Sequence, residues 1–233
     1  MSRPPASVLA CPTADEAAAV AAGLLADALV AAVSERGRAL LAVSGGRTPA
    51  PMLRHLAGLP VPFAEVELFQ VDERQAPAGS ADRNATSLLP LIDVVAAAQV
   101  HLIPIDSDLD ASAAAYASTL ADLAGDPPVL DALHLGLGDD GHTASLVPGD
   151  PALREQIKFV TATAAYRGHR RVTLTAPVLS AARTCVLLAT GSGKSDAVAA
   201  LLAGDPGSVA AQVIPPGTIL VADQAALSPQ PPA

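Results

Sequence analysis

The chain has 233 residues, of which 51% are hydrophobic and only 2% aromatic, and a net charge of −9. That length supports one large α/β domain with a core built from Ala, Val, Leu and Ile, and no composition shift marks a second. The acidic balance argues against a nucleic-acid surface or an anionic membrane as partner. It leaves room for a phosphorylated small molecule, because clustered Arg and Lys within a Debye length of ~8 Å outweigh distant acids.

Met1-Ser2-Arg3-Pro4-Pro5 has no apolar signal core behind its single Arg. No run is read as approaching the ~20 apolar residues of a membrane span, so a cytoplasmic enzyme is expected. Cys11 and Cys185 lie far apart without metal-like spacing and read as reduced, buried thiols. The Pro-rich tail, residues 228–233, reads as disordered, which leaves 1–227 as a single domain.

In chain order, Thr13-x-x-Glu16 is a capping box that opens an apolar helix, and Gly37 stops it. Residues 39–43 read as a short buried strand that runs into Ser44-Gly45-Gly46-Arg47-Thr48-Pro49 and a helix to about Ala57. Strand, glycine pair and helix start together suggest an anion cradle, with N–H groups from Gly45 and Gly46 and hydroxyls from Ser44 and Thr48.

Residues 65–71 form the next predicted strand, delivering Asp72-Glu73-Arg74 at its end, where three charges in a row also suit a solvated terminus. A polar loop over 75–83, of a length that often closes over ligand, leads through Asn84 into a helix containing Leu88 and Leu89. A strand at 100–103 and an Ala-rich helix over 109–124 follow. His101 reads as a strand-end residue without a chemical role.

Residues 129–135 are an apolar run with the length of a buried strand, and it breaks into Gly136-Leu137-Gly138-Asp139-Asp140-Gly141-His142. In open parallel sheets, loops leaving the carboxyl ends of strands form the ligand crevice. Beyond it come strands at 158–161 and 171–175, with His169 in a basic turn beside Arg167, Arg170 and Arg171, and a short helix over 178–182.

The strand at 184–189 opens into Thr190-Gly191-Ser192-Gly193-Lys194 and a helix to Leu202. This is not a nucleotide P-loop, because Leu188 stands where the first glycine is required. Lys194 opposes the helix dipole, a placement that suits a bound anion. Residues 217–223 close the domain as an expected edge strand.

Alternating strands and helices imply an α/β, Rossmann-like fold, a mostly parallel sheet with helices on both faces. Four strand-end loops then carry the candidate site: Ser44 to Thr48, Arg74, Lys194 and the Asp140-Gly141-His142 unit. An imidazole, with an ordinary pKa of about 6.5, accepts a proton near neutrality. Asp140 is placed to orient the ring of His142 or to stabilise its protonated form. No covalent nucleophile, metal-ligand spacing or cofactor motif is seen. The chemistry this suits is attack of water on an activated carbonyl in a small phosphorylated molecule.

The run Gly136-x-Gly138-x-Asp140-Gly141-His142-Thr143-Ala144-Ser145-Leu146-x-Pro148-Gly149 closely resembles the signature of the 6-phosphogluconolactonases, and more loosely that of the glucosamine-6-phosphate deaminases. The resemblance extends through Ser44 to Pro49, Asp72-Glu73-Arg74 with Asn84, Arg171 to Thr175, Gly191-x-x-Lys194, and Asp223 followed by Ala225 and Ala226. It implies cofactor-free hydrolysis of 6-phospho-D-glucono-1,5-lactone to 6-phosphogluconate in the oxidative pentose phosphate pathway. It makes His142 the base and gives Arg74 and Lys194 the substrate phosphate. Ser44, Gly45, Gly46, Arg47, Thr48, Asp72, Asn84 and Arg171 complete the expected binding set.

The expected partner is thus a sugar-phosphate lactone, with no nucleic acid, no membrane and no metal, in a monomer or weak homo-oligomer. Two segments depart from the family pattern: Asp205 to Ser208 stands where Pro-Ala-Ser is common, and Gly168-His169-Arg170 replaces a Pro-rich approach to Arg171. The deaminase signature has a glutamate where this chain has Val147, which disfavours proton shuttling between sugar carbons. A sugar-phosphate sensor would ordinarily carry a DNA-binding segment, for which the chain has neither spare length nor basic charge.

Overall fold

The computed structural model describes residues 4–228, so most of the Pro-rich tail lies outside the described residues. Its strands are β1 (Ser7–Cys11), β2 (Ala39–Val43), β3 (Val66–Gln70), β4 (Asp72–Arg74), β5 (Val100–His101), β6 (Ala132–Gly136), β7 (Val160–Ala162), β8 (Arg171–Leu174), β9 (Thr184–Ala189) and β10 (Ile219–Asp223). The helices are α1 (Ala14–Arg36), α2 (Pro49–Ala57), α3 (Leu89–Ile92), α4 (Leu109–Ala124), α5 (Ala176–Ser180), α6 (Ser195–Leu202), α7 (Val209–Val213) and α8 (Gln224–Leu227).

A parallel sheet runs in the order β1-β10-β9-β6-β2-β3-β5, and β4-β8-β7 form a small antiparallel sheet beside it. Strand β2 is buried along its whole length, because both of its faces are covered. Ala39, Leu41 and Val43 pack with Leu25 and Leu29 of α1 and Met52 of α2 on one face. Leu40 and Ala42 pack with Leu133, Leu135, Tyr116 of α4 and Leu201 of α6 on the other.

The predicted caps of α1 form: Thr13 Oγ1 accepts from the N–H of Glu16 at 3.2 Å, and Gly37, at φ 73°, donates its N–H to Val33 O. Two expectations are corrected. Strand β10 is internal, because β1, left unassigned in the sequence reading, pairs in parallel outside it from Ser7↔Ile219 to Cys11↔Asp223. And α1, with 23 residues and a mean hydropathy of 2.0 in its most apolar stretch, is long and apolar enough to cross a bilayer. Its alanines raise hydropathy without bulk, and here they serve close packing, with Ala17, Ala18, Ala21 and Ala22 buried against the sheet.

Candidate active site

Strands β9, β6, β2 and β3 are adjacent in the sheet, so the four predicted loops emerge side by side. The chain winds one way from β2 to β3 and the other from β6 to β9. The direction therefore reverses between β2 and β6, and there the loops after them diverge to leave a crevice. A cleft of about 190 Å³ lies at this point.

Gly45, just after β2, sits where a Cβ would come within 2.7 Å of Asn84 Cβ and O and 2.8 Å of Ser87 Oγ, so only glycine lets the two loops meet. The cradle differs from expectation in one respect. The N–H of Gly46 donates to Ser87 Oγ at 2.8 Å, and Ser44 donates both its N–H and its hydroxyl to the carbonyl of His134. The Gly46 N–H and the Ser44 hydroxyl are thus spent on joining loops, and the cations carry more of the anion-binding character.

Asp72-Glu73-Arg74 is not a solvated terminus. Glu73 is fully buried and accepts from the N–H groups of Arg74 and Asn84, each at 2.7 Å, and of Ala85 at 2.9 Å, with Arg83 paired to it at 3.2 Å. Asp72, also buried, accepts from the Ser145 hydroxyl at 2.5 Å. Burial pushes its carboxyl up, against the opposing pull of Ser145 and Arg171.

In the small sheet Arg74 pairs directly with Arg171, and like charges at facing positions repel. Both Nε atoms are buried without a hydrogen-bond partner among the described residues. Burial lowers the Arg171 pKa against the pull of the Asp72 carboxylate, and the Arg74 charge adds to the lowering. Two facing guanidiniums, each with a buried and unused Nε donor, favour an anion between them.

Opposite them, Gly136 to His142 forms a compact turn: Gly138 N–H donates to His142 O at 2.7 Å, Gly141 N–H to Gly138 O at 3.2 Å, and Thr143 Oγ1 to Gly136 O at 2.8 Å. Gly141, at φ 81°, meets Ser208, the N-cap of α7, which puts the 205–208 segment behind the turn. Asp140 Oδ1 lies 2.5 Å from His142 Nδ1. Burial would raise the Asp140 pKa, but hydrogen bonds from Tyr166 and His142 outweigh it and bring the carboxyl to about 2. A carboxylate only accepts, so Nδ1 carries a proton, and in the neutral ring Nε2 keeps its lone pair. A Cβ on Gly138 would overlap the His142 ring and come within 2.7 Å of Asp140 Oδ1, so glycine here is a condition of the pair.

Ser44, Gly45, Gly46, Arg47, Thr48, Asp72, Arg74, Asn84, His142, Arg171 and Lys194 all line the cleft, and Asp140 stands behind His142. Burial lowers the Lys194 pKa, against the pull of Asp139. The sequence reading missed Arg167, which also lines the cleft and is paired with Asp139 at 2.6 Å, and Tyr166, whose hydroxyl reaches Asp140. In the sequence the segment reads as a basic turn around His169, and only the pairing of β7 with β8 brings it back over the loop. Val147 is buried and does not line the cleft.

The family model for glucosamine-6-phosphate isomerases and 6-phosphogluconolactonase matches residues 12–224. A 6-phosphogluconolactonase of Mycobacterium tuberculosis is 39% identical over 217 residues, covering 86% of this chain and 87% of its own. One of Synechocystis is 35% identical, covering 79% and 81%. Among solved structures, 6-phosphogluconolactonase from Trypanosoma cruzi superposes with a TM-score of 0.85 at 26% identity, covering 97% of each chain. On the family match and these identities, the chain belongs to the family of glucosamine-6-phosphate isomerases and 6-phosphogluconolactonases.

Proposed function

We propose that this chain hydrolyses 6-phospho-D-glucono-1,5-lactone to 6-phosphogluconate. The observation that carries the proposal is the Asp140–His142 pair opening on the same cleft as Arg74, Arg171 and Lys194. His142 Nε2 accepts a proton from a water molecule as that water attacks the lactone carbonyl. The imidazolium, held by Asp140, then returns the proton to the ring oxygen as the C–O bond breaks. Such general-base help is worth ~10² to 10⁴ in rate, enough for an activated δ-lactone.

Arg74, Arg171 and Lys194 hold the phosphate, with Arg47, Thr48, Asn84 and the Ser44–Gly46 turn shaping the floor. The relatives named 6-phosphogluconolactonase support the substrate. Within a family that also contains isomerases, this chain has Val147 where the deaminase signature has a glutamate. It is buried outside the cleft lining and supplies no carboxylate for shuttling protons between sugar carbons, which favours the hydrolysis reading. The test is an assay with freshly generated 6-phosphogluconolactone, spontaneous hydrolysis subtracted, run beside glucosamine 6-phosphate. Lactone hydrolysis without ammonia release is expected. Ammonia release at a comparable rate would reverse the assignment.

A further inference from the structure

Residues 163–171 extend the β7–β8 pair into a hairpin over the Gly136–His142 turn. At its tip Tyr166 and His169 exchange both backbone hydrogen bonds, at 2.9 and 3.3 Å, around Arg167 and Gly168, which take φ 48° and 84°. Two successive positive φ values are those of a type I′ turn, which matches the twist of paired strands. Two residues separate Thr163 from Tyr166 while one separates His169 from Arg171, whose carbonyl accepts from Thr163 N–H. The extra residue is a bulge, a device that re-aims side chains. The stem is tied at Ala164, whose N–H donates to the buried Asp150 carboxylate, and at Arg170, whose carbonyl accepts from Gln75.

This frame aims Tyr166 at the candidate pair. Its hydroxyl donates to Asp140 Oδ2 at 2.7 Å, while Oδ1 takes the His142 ring and, at 3.2 Å, the His142 N–H. Its ring meets the imidazole edge-on, with centroids 5.5 Å apart and planes at 72°. Arg167 and Arg171 lie 5.2 and 5.3 Å from its centroid. We propose that Tyr166 is a positioning residue: by holding the second oxygen of Asp140 and the edge of the imidazole, it fixes the direction in which His142 presents Nε2 to the cleft. Without it Asp140, about a third exposed, would be held through one oxygen and free to turn toward water. The hydroxyl also drains charge from the carboxylate, which limits how strongly Asp140 retains the imidazolium before the proton is returned.

The proposal rests on the hydrolysis reading, and its test separates the two. Tyr166→Phe keeps the ring and its contacts and removes one hydroxyl from a half-buried side chain, so the melting temperature should hold. We expect kcat to fall roughly 5- to 30-fold, a fraction of what a general base supplies, with KM within about twofold. The acidic limb of the pH profile should move to higher pH. Carbon-13 NMR should show the Asp140 carboxyl titrating above the parental value of about 2, a readout independent of turnover. A Tyr166→Phe variant with parental kcat, or one whose loss lies in KM alone, would overturn the proposal whatever the titration shows. If the Asp140 titration moves but the parent does not hydrolyse the lactone, the clamp stands and the assigned reaction falls.

Discussion

At the level of single residues, the site combines groups that cost stability with groups chosen for shape. Arg74 facing Arg171 is unfavourable to the empty protein, so Arg74→Ala should move stability and binding in opposite directions. Relief of the facing charges is worth about 0.2–1 kcal/mol. The lost charge-assisted contacts should weaken 6-phosphogluconate binding by about 1.5–3 kcal/mol. Urea unfolding and calorimetry on the same preparation measure the two terms, and an unchanged product affinity would take Arg74 out of the anion site. His142→Asn, by contrast, should lower kcat by ~10² or more while product affinity stays near parental, since a base acts mainly in the transition state. Near-parental turnover would pass the base role to Asp72, the buried carboxyl that lines the cleft, to Asp140, or to another group. Gly138→Ala should resemble the His142 variant without touching any functional group, because the new methyl displaces the ring. A folded Gly138→Ala protein with parental kcat would show that the ring direction is immaterial.

At the level of elements, the 70–85 segment is organised by one carboxylate. Glu73 collects Gln70 Nε2, three backbone N–H groups and Arg83, joining the end of β3, strand β4 and the turn at Asn84 into one unit. Glu73→Ala should destabilise by about 3–5 kcal/mol, the usual effect of breaking a buried ionic cluster, whereas Glu73→Gln, which keeps an acceptor, should cost clearly less. Equal midpoints for the two variants in urea would mean that water replaces the carboxylate. This element also marks the limit of what could be read from sequence. Local signals such as Thr13 with Glu16, Gly37, and the apolar runs of β2, β6 and β9 were legible, because capping and strand patterning are decided within a few residues. The four strand-end loops followed from them, and with them Ser44 to Thr48, Arg74, His142 and Lys194, whereas Asp72, Asn84 and Arg171 came only with the family resemblance and Arg167 not at all. Asp72-Glu73-Arg74 reads as a solvated charge run because its burial depends on N–H donors up to twelve residues away and on Ser145. Strand β1 was likewise hidden, since it exists only through pairing with β10; the strands flanking Tyr166 were legible, but not the folding of their hairpin over the distant Gly136–His142 turn.

At the level of the whole molecule, the sheet carries a layer of helices on each side, and the crevice opens where its winding reverses, directly above a buried histidine. His134, on β6, is fully buried, its register neighbours are Val43 and Val186, and neither ring nitrogen has a hydrogen-bond partner among the described residues. Its carbonyl receives Ser44, so the backbone here supports the cleft while the imidazole faces the apolar layer under α1. Burial lowers its pKa to about 3, against about 6.5 for an unfolded histidine. The unfolded chain therefore binds a proton below about pH 6.5 that the folded chain refuses until about pH 3. Stability is fully present above pH 6.5 and falls as pH drops through that window, by up to about 1.4 kcal/mol per unit. Between pH 7 and 5 this one group should remove about 2 kcal/mol. Asp140, also depressed, adds a smaller loss in the same direction only nearer pH 2–4, discounted by its exposure to solvent. His134→Leu, similar in size and without polar atoms, should match or exceed the parent at pH 7 and lose markedly less stability on acidification. The difference between the two in urea-unfolding free energy, followed from pH 7 to 5, isolates His134 from the other titrating groups. Parallel pH curves would mean that the imidazole finds a proton partner inside the fold and that acid sensitivity arises elsewhere.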